Sequence, residues 1–185
     1  MMIISTSMGR RGRGAAEGRR EAARDVRGFT EGWLLAAARD EALAQSEWLE
    51  QGVALLECGA RFGAVRLPYA IIHTAAGTEE HGGVCRYLRR SLRGGPVFVQ
   101  PRGELYYALV SLAATRRWRV PNIEVVGAGT YLGVPAPDRV DLVGQDAYWA
   151  VPPTLPSRLC GPTALRRLVA IGLDGQGRSG EVGHG

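Results

Sequence analysis

Apolar positions along the chain gather into short runs, parted by Gly, Pro and charged turns, and these runs predict the elements. Trp33, Leu34, Ala37 and Ala38 recur at helical spacing, which predicts a helix from Glu31 to Gln51 with Thr30 as its cap and Gly52 as its stop. VALLEC (53–58) and FGAVRLP (62–68) read as two strands of a hairpin turning at Gly59-Ala60-Arg61. Pro68 and the polar stretch after His73 close that unit. A helix is predicted over Glu79–Leu92, stopped by Gly94-Gly95. PVFVQ (96–100) and ELYYALV (104–110) flank Pro101-Arg102-Gly103, the clearest hairpin signal in the chain. A short helix follows over Leu112–Trp118, then IEVVG (123–127) and TYLGVP (130–135) as another hairpin about Ala128-Gly129. AYWAVP (147–152) is a last strand. Pro162 suits the first turn of a final helix over Thr163–Ile171.

Hairpins dominate this order, so the predicted fold is α+β, a mainly antiparallel sheet with helices packed on it. At 185 residues one domain is expected, over 28–173. Residues 1–27 and 174–185 are rich in Gly and charge and poor in large apolar side chains, and both read as tails.

Composition narrows the chemistry. All 23 basic residues are Arg, a usage that GC-rich coding sequences favour, and the absence of Lys excludes a Walker A loop, a Schiff base and pyridoxal catalysis. The net charge of +5 suggests nucleic acid until it is placed. Seven Arg face three acids in residues 1–27, while sixteen Arg face fifteen acids beyond them, so the excess sits in the N-terminal stretch and the folded part is nearly neutral. That stretch reads as a solvated tail, or as the product of a misassigned start codon, with a basic arm on nucleic acid as the alternative. Cys58, Cys85 and Cys160 lie far apart with no C-x-x-C, as expected of reduced thiols in a cytoplasmic protein. No run has the ~18 apolar residues of a membrane span, and neither Ile3-Ile4 nor Arg10-Arg11 begins a secretory signal.

Few residues gather into recognisable chemistry. The stretch GAGTYLG (127–133) places its third Gly one position late for a dinucleotide loop, and a strand follows where that loop needs a helix. Gly127 and Gly129 are instead expected to supply positive φ at a turn. His81 and Cys85 share a helix face but make only half a zinc site, which His73 and Cys58 do not complete by spacing. Glu57, Glu104 and Glu124 stand on different strands. No catalytic residue, metal site or cofactor is predicted. Arg116, Arg117, Trp118 and Arg119 mix cations with an aromatic, a pattern that grips phosphates and stacks on bases, or else is a solvated helix end with Trp118 tucked beneath it. Tyr106, Tyr107, Tyr131, Tyr148 and Trp149 lie on strands, where one member of each alternating pair is expected in the core.

The succession VALLECG, AVRLP, PRGELYYAL, IEVVGAGTYLGVPAP and YW resembles the bifunctional DNA primase/polymerase (prim-pol) family of the archaeo-eukaryotic primase superfamily, over roughly 53–151. The best match is 122–137, with Glu124 on one strand, the turn at Gly127–Gly129, Tyr131 leading the next strand, and Pro135 and Pro137 at its end. The resemblance implies a prim-pol/RRM-like sheet. It also implies an Asp-x-Asp pair holding two divalent ions, but Val65, Arg66 and Leu67 stand at that place. A nucleotide-binding His is implied near Leu105. With Glu124 alone, and Arg66 repelling cations, the implied function is that of a non-catalytic accessory domain binding nucleic acid or a protein partner. Its contact candidates are Arg66, Glu124, Tyr131 and the 116–119 cluster. Two alternatives stay open: a protein-interaction module without a nucleic-acid role, which the near-neutral folded part favours, and an enzyme with an atypical site about Glu124, Glu104 and Arg66. The resemblance further implies that the six strands between 53 and 135 share one sheet, with Val65 beside Glu124.

Overall fold

In the computed structural model, which describes residues 10–140, 144–155 and 158–181, strand side chains alternate between two separate apolar cores. Strands β2 (Gly63–Pro68), β3 (Val97–Gln100), β4 (Leu105–Val110), β5 (Val125–Val126) and β7 (Tyr148–Val151) form one sheet in the order β5-β2-β4-β3-β7. All its neighbours are antiparallel. Val65, Leu67, Val97, Val99, Tyr106 and Ala108 point to the first core, where helices α3 (Tyr69–Ala76), α4 (His81–Ser91), α5 (Leu112–Arg116) and α6 (Pro162–Glu181) pack. Ala64, Phe98, Tyr107, Leu109 and Trp149 point to the second. There the sheet is covered by a two-stranded ribbon of β1 (Val53–Glu57) and β6 (Tyr131–Pro135), by α2 (Glu41–Gln51) and by the end of α1 (Arg10–Leu35). Along β2, β3 and β4 the period of two sends the buried side chains alternately to one core and the other.

The α+β class and the antiparallel sheet with packed helices hold, while the pairing differs from expectation. Only the β3–β4 hairpin forms as predicted, through a single 3-10 turn at Pro101–Gly103. β1 and β2 are not a hairpin, nor are β5 and β6, and the six strands do not share one sheet. Instead β1 pairs with β6 in one sheet and β2 with β5 in the other, so a single antiparallel ribbon bends from one layer into the next. The two corners lock together. Cys58 donates its N–H to Thr130 and accepts from the N–H of Gly129, and a β-carbon on Gly59 would lie 3.0 Å from Ala128. Of the two turn glycines only Gly129 has positive φ, at 80°.

β2 and β3 both run antiparallel to β4, which lies between them, so they are parallel to each other and linked through α3 and α4. This is a split β-α-β arrangement. Helix α3 is an addition to the sequence reading. Ile71, Ile72, Ala75 and Ala76 have its spacing, and Gly77 closes it at φ 67°. The helix expected over 31–51 is broken, because Asp40 accepts a hydrogen bond from the Leu43 N–H and restarts the chain as α2. Residues 10–27 and 174–181, read as tails, continue α1 and α6; in 10–27 the Ala, Glu and Arg are strong helix formers even without an apolar face, whereas 174–181, with three Gly, extends α6 against its propensity. Residues 21–29 of α1 are exposed, so that stretch of the helix rests on little else. Residues 1–9 and 182–185 of those expected tails lie outside the described residues.

Candidate functional site

Of the residues singled out in the sequence, Arg66 and Glu124 do meet. The Arg66 N–H donates to the Glu124 carbonyl at 2.9 Å, and the two side chains form an ion pair. Arg66 lies on the second-core face, its guanidinium carbon 6.0 Å from the Tyr107 ring centroid, where Tyr107 stacks on Phe98 and Phe98 meets Trp149 edge-on. These rings are buried, so they form a packed row and not an open platform. Nothing beside Arg66 and Glu124 suits a divalent ion. Val65 and Leu67 are fully buried in the first core, beneath the helices, and Glu124 spends its charge on Arg66. Glu104 sits in the β3–β4 turn, where its carbonyl accepts the N–H of Tyr69, the residue just past the end of β2. Leu105 is half-buried and offers no polar group. Tyr131 is exposed, but on the other sheet.

Both histidines of the described residues fall in one aromatic cluster. His73 Nε2 lies 3.1 Å from the Tyr106 hydroxyl, and His81 Nδ1 lies 3.4 Å from that of Tyr148. Cys85 Sγ is 3.6 Å from His81 Nε2. Burial pushes the Cys85, Tyr106 and Tyr148 protons up, so these groups stay neutral and the cluster reads as satisfied core polarity. Cys58, pushed up to about 11, and Cys160, up to about 12, are likewise inert through burial. Among the described residues no group of three His, Cys, Asp or Glu is placed to hold a metal.

The Arg116–Arg119 segment lies at the end of α5, with Trp118 buried and the three Arg exposed. Its neighbour is α6. Arg166 donates to the Arg117 carbonyl at 2.8 Å and lays its guanidinium 5.4 Å from the Trp118 ring centroid. The cationic surface therefore continues beyond the segment that sequence reading identified. Residues 81–93 (α4 and its end), 111–120 (α5) and 158–173 (the first half of α6) carry ten Arg and no acid. They are Arg86, Arg89, Arg90 and Arg93 on the first, Arg116, Arg117 and Arg119 on the second, and Arg158, Arg166 and Arg167 on the third; all ten are exposed. Only Arg86 is ion-paired among them, 3.5 Å from Glu80. The opposite layer is acidic, with Asp40, Glu41, Glu47 and Glu50 on or beside α2 and Glu57 on β1. A near-zero sum thus conceals two charged faces. Counting charge by stretch would have found this in the sequence; totalling it over 158 residues cancelled it.

No helix of the described residues is long and apolar enough to cross a membrane. Comparison of the chain with protein-family models, with curated proteins and with solved structures finds no match, so residues and geometry alone carry the functional reading.

Proposed function

We propose that this chain is a non-catalytic nucleic-acid-binding domain of prim-pol-like build, and that its binding surface is the helical layer α4–α5–α6. One observation carries the reading: ten exposed Arg on or beside α4, α5 and the first half of α6, in stretches (81–93, 111–120 and 158–173) that hold no acid. Such a surface repels itself unless an anion covers it, and a phosphate backbone supplies closely spaced negative charge over the required length. The prim-pol likeness is supported by the split β-α-β arrangement and by β2 and β5 lying together as that resemblance implies. The lack of catalysis is supported by the apolar burial of Val65 and Leu67, where paired carboxylates would be needed to clamp two ions.

The test is fluorescence anisotropy of a labelled oligonucleotide titrated over a range of salt. Binding should weaken steeply as salt rises. Replacing Arg116, Arg117 and Arg119 together by Gln should lower the slope of log K against log salt by about 2, each lost phosphate contact being worth ~0.7 on a single strand. No binding at low salt, or a slope untouched by the triple replacement, overturns the proposal.

A second reading has its own observation. Leu43 and Leu49 on α2 and Leu55 on β1 are exposed by 58%, 81% and 56%, next to the acids of that layer. This face fits a protein partner with basic and apolar side chains, and it leaves the helical face free.

A further inference from the structure

Between the end of α4 and the first half of α6 runs a groove of about 760 Å³. Its floor is aliphatic, with Leu92, Leu168 and half-open Ile171, and the half-buried ring of Tyr87 forms a wall. Its rim carries Arg93, Arg158 and Arg167 and no acid. A second cavity, of about 310 Å³ between α1, α2 and residues 136–139, differs on this point: Glu31 and Asp138 line it beside Arg27 and Arg139, and Arg27 pairs with Asp138. Of these two, the α4–α6 groove combines an apolar floor with positive charge that no lining acid offsets. Arg93 reaches the rim from a left-handed backbone at φ 52°, a conformation that non-glycine residues seldom adopt.

We infer that this groove seats an unpaired nucleotide of a single strand, with its base on the floor against Tyr87 and its flanking phosphates on Arg93, Arg158 and Arg167. The inference rests on the nucleic-acid reading and narrows it from a charged face to a site with strand preference. A duplex keeps its base faces stacked inside and offers phosphates and groove edges, which would leave the apolar floor uncovered. A single strand can turn a base out onto an aromatic and aliphatic surface. An acidic amphipathic peptide could also fill the groove, but the cationic track does not stop at the rim. Arg167 is followed around α6 by Arg166, which touches Arg117, and the track reaches Arg119. A backbone with a charge at every residue matches that length better than one turn of acidic helix. The volume lies within the ~300–1,000 Å³ range of small-ligand sites.

The experiment compares a labelled oligothymidylate with a blunt duplex of equal length, at one salt concentration, on the full chain. The single strand should bind about ten-fold more tightly, the scale of one base stacked on a protein surface. Two variants leave the charge unchanged. Ala164→Leu fills the groove, and Ile171→Ser, at a half-open position, strips its floor. Each should remove most of that preference while duplex affinity and melting temperature stay where they were. Arg158→Gln with Arg167→Gln should weaken the single strand more than the duplex. Equal affinity for the two forms, with Ala164→Leu silent on both, overturns the groove while sparing the nucleic-acid face. Failure to bind either form defeats both. If a Leu-rich acidic peptide binds and is displaced by Ala164→Leu while nucleic-acid binding is unaffected, the groove belongs to a protein partner and the inference is wrong.

Discussion

Arg66 is held by less than its burial suggests: its Nε is buried without a hydrogen-bond partner, and its ion pair with Glu124 lies largely in solvent. Glu124→Ala should therefore change stability by no more than ~1 kcal/mol, read from chemical denaturation, because exposed pairs contribute little. Val65 and Leu67 behave oppositely. Each is fully buried among aliphatic neighbours, and Val65→Asp with Leu67→Asp would place two unpaired carboxylates there. The double variant should lose at least ~3 kcal/mol of stability and gain no template-dependent nucleotide incorporation. A folded double variant that incorporates nucleotide would show that a metal site lies latent at this position. Glu80 offers a pH test. Its carboxyl is held below the usual range, first by the Gly82 and Gly83 N–H groups it caps and then by Arg86. A lowered carboxyl stabilises the fold above its unfolded pKa and loses that contribution as pH falls through the folded one. On acidification, wild type should thus lose more stability than Glu80→Gln, and parallel pH profiles would show that the cap contributes nothing.

Among elements, legibility followed locality. The β3–β4 hairpin was readable because its turn, Pro101 to Gly103, and its alternation are both local. The β1/β2 and β5/β6 pairs were misread because a tight turn between two strands is the same signal whether the strands fold back on each other or bend into a second layer. What decides is the contact of Gly59 with Ala128, 69 residues away, and no local pattern records it. Helix α3 was legible in its apolar spacing, but the preceding strand ran into it through Pro68 without a polar break. Helix packing offers a sharper test. Gly172 brings α6 so close to α3 that a β-carbon there would meet the Ile71 carbonyl oxygen. Despite the better helix propensity of Ala, Gly172→Ala should lower stability by about 1–3 kcal/mol, because the obstructing atom is backbone. An unchanged melting temperature would mean that the two helices can part at no cost. The exposed stretch of α1 at 21–29 predicts the reverse: removing residues 1–27 should barely move the melting temperature.

At the scale of the molecule, two charged layers lie either side of one sheet, a basic one made of α4, α5 and α6 and an acidic one about α2. Of the candidate site, the sequence showed one edge. Arg116, Arg117 and Arg119 stood out because they are contiguous, whereas Arg93, Arg158 and Arg167 converge only when α4 packs beside α6. Trp118, read as a stacking candidate, is buried and instead carries Arg166 over its ring. The central claim, that nucleic acid lies on the helical face and not on the sheet edge at Arg66 and Glu124, is tested most directly by amide chemical-shift mapping. An isotope-labelled full chain would be titrated with an oligothymidylate. Shifts should concentrate at residues 87–93, 116–119 and 158–171, and fade as salt is raised. Shifts gathered at 65–68, 124–126 and 131, with the helical face silent, would contradict it.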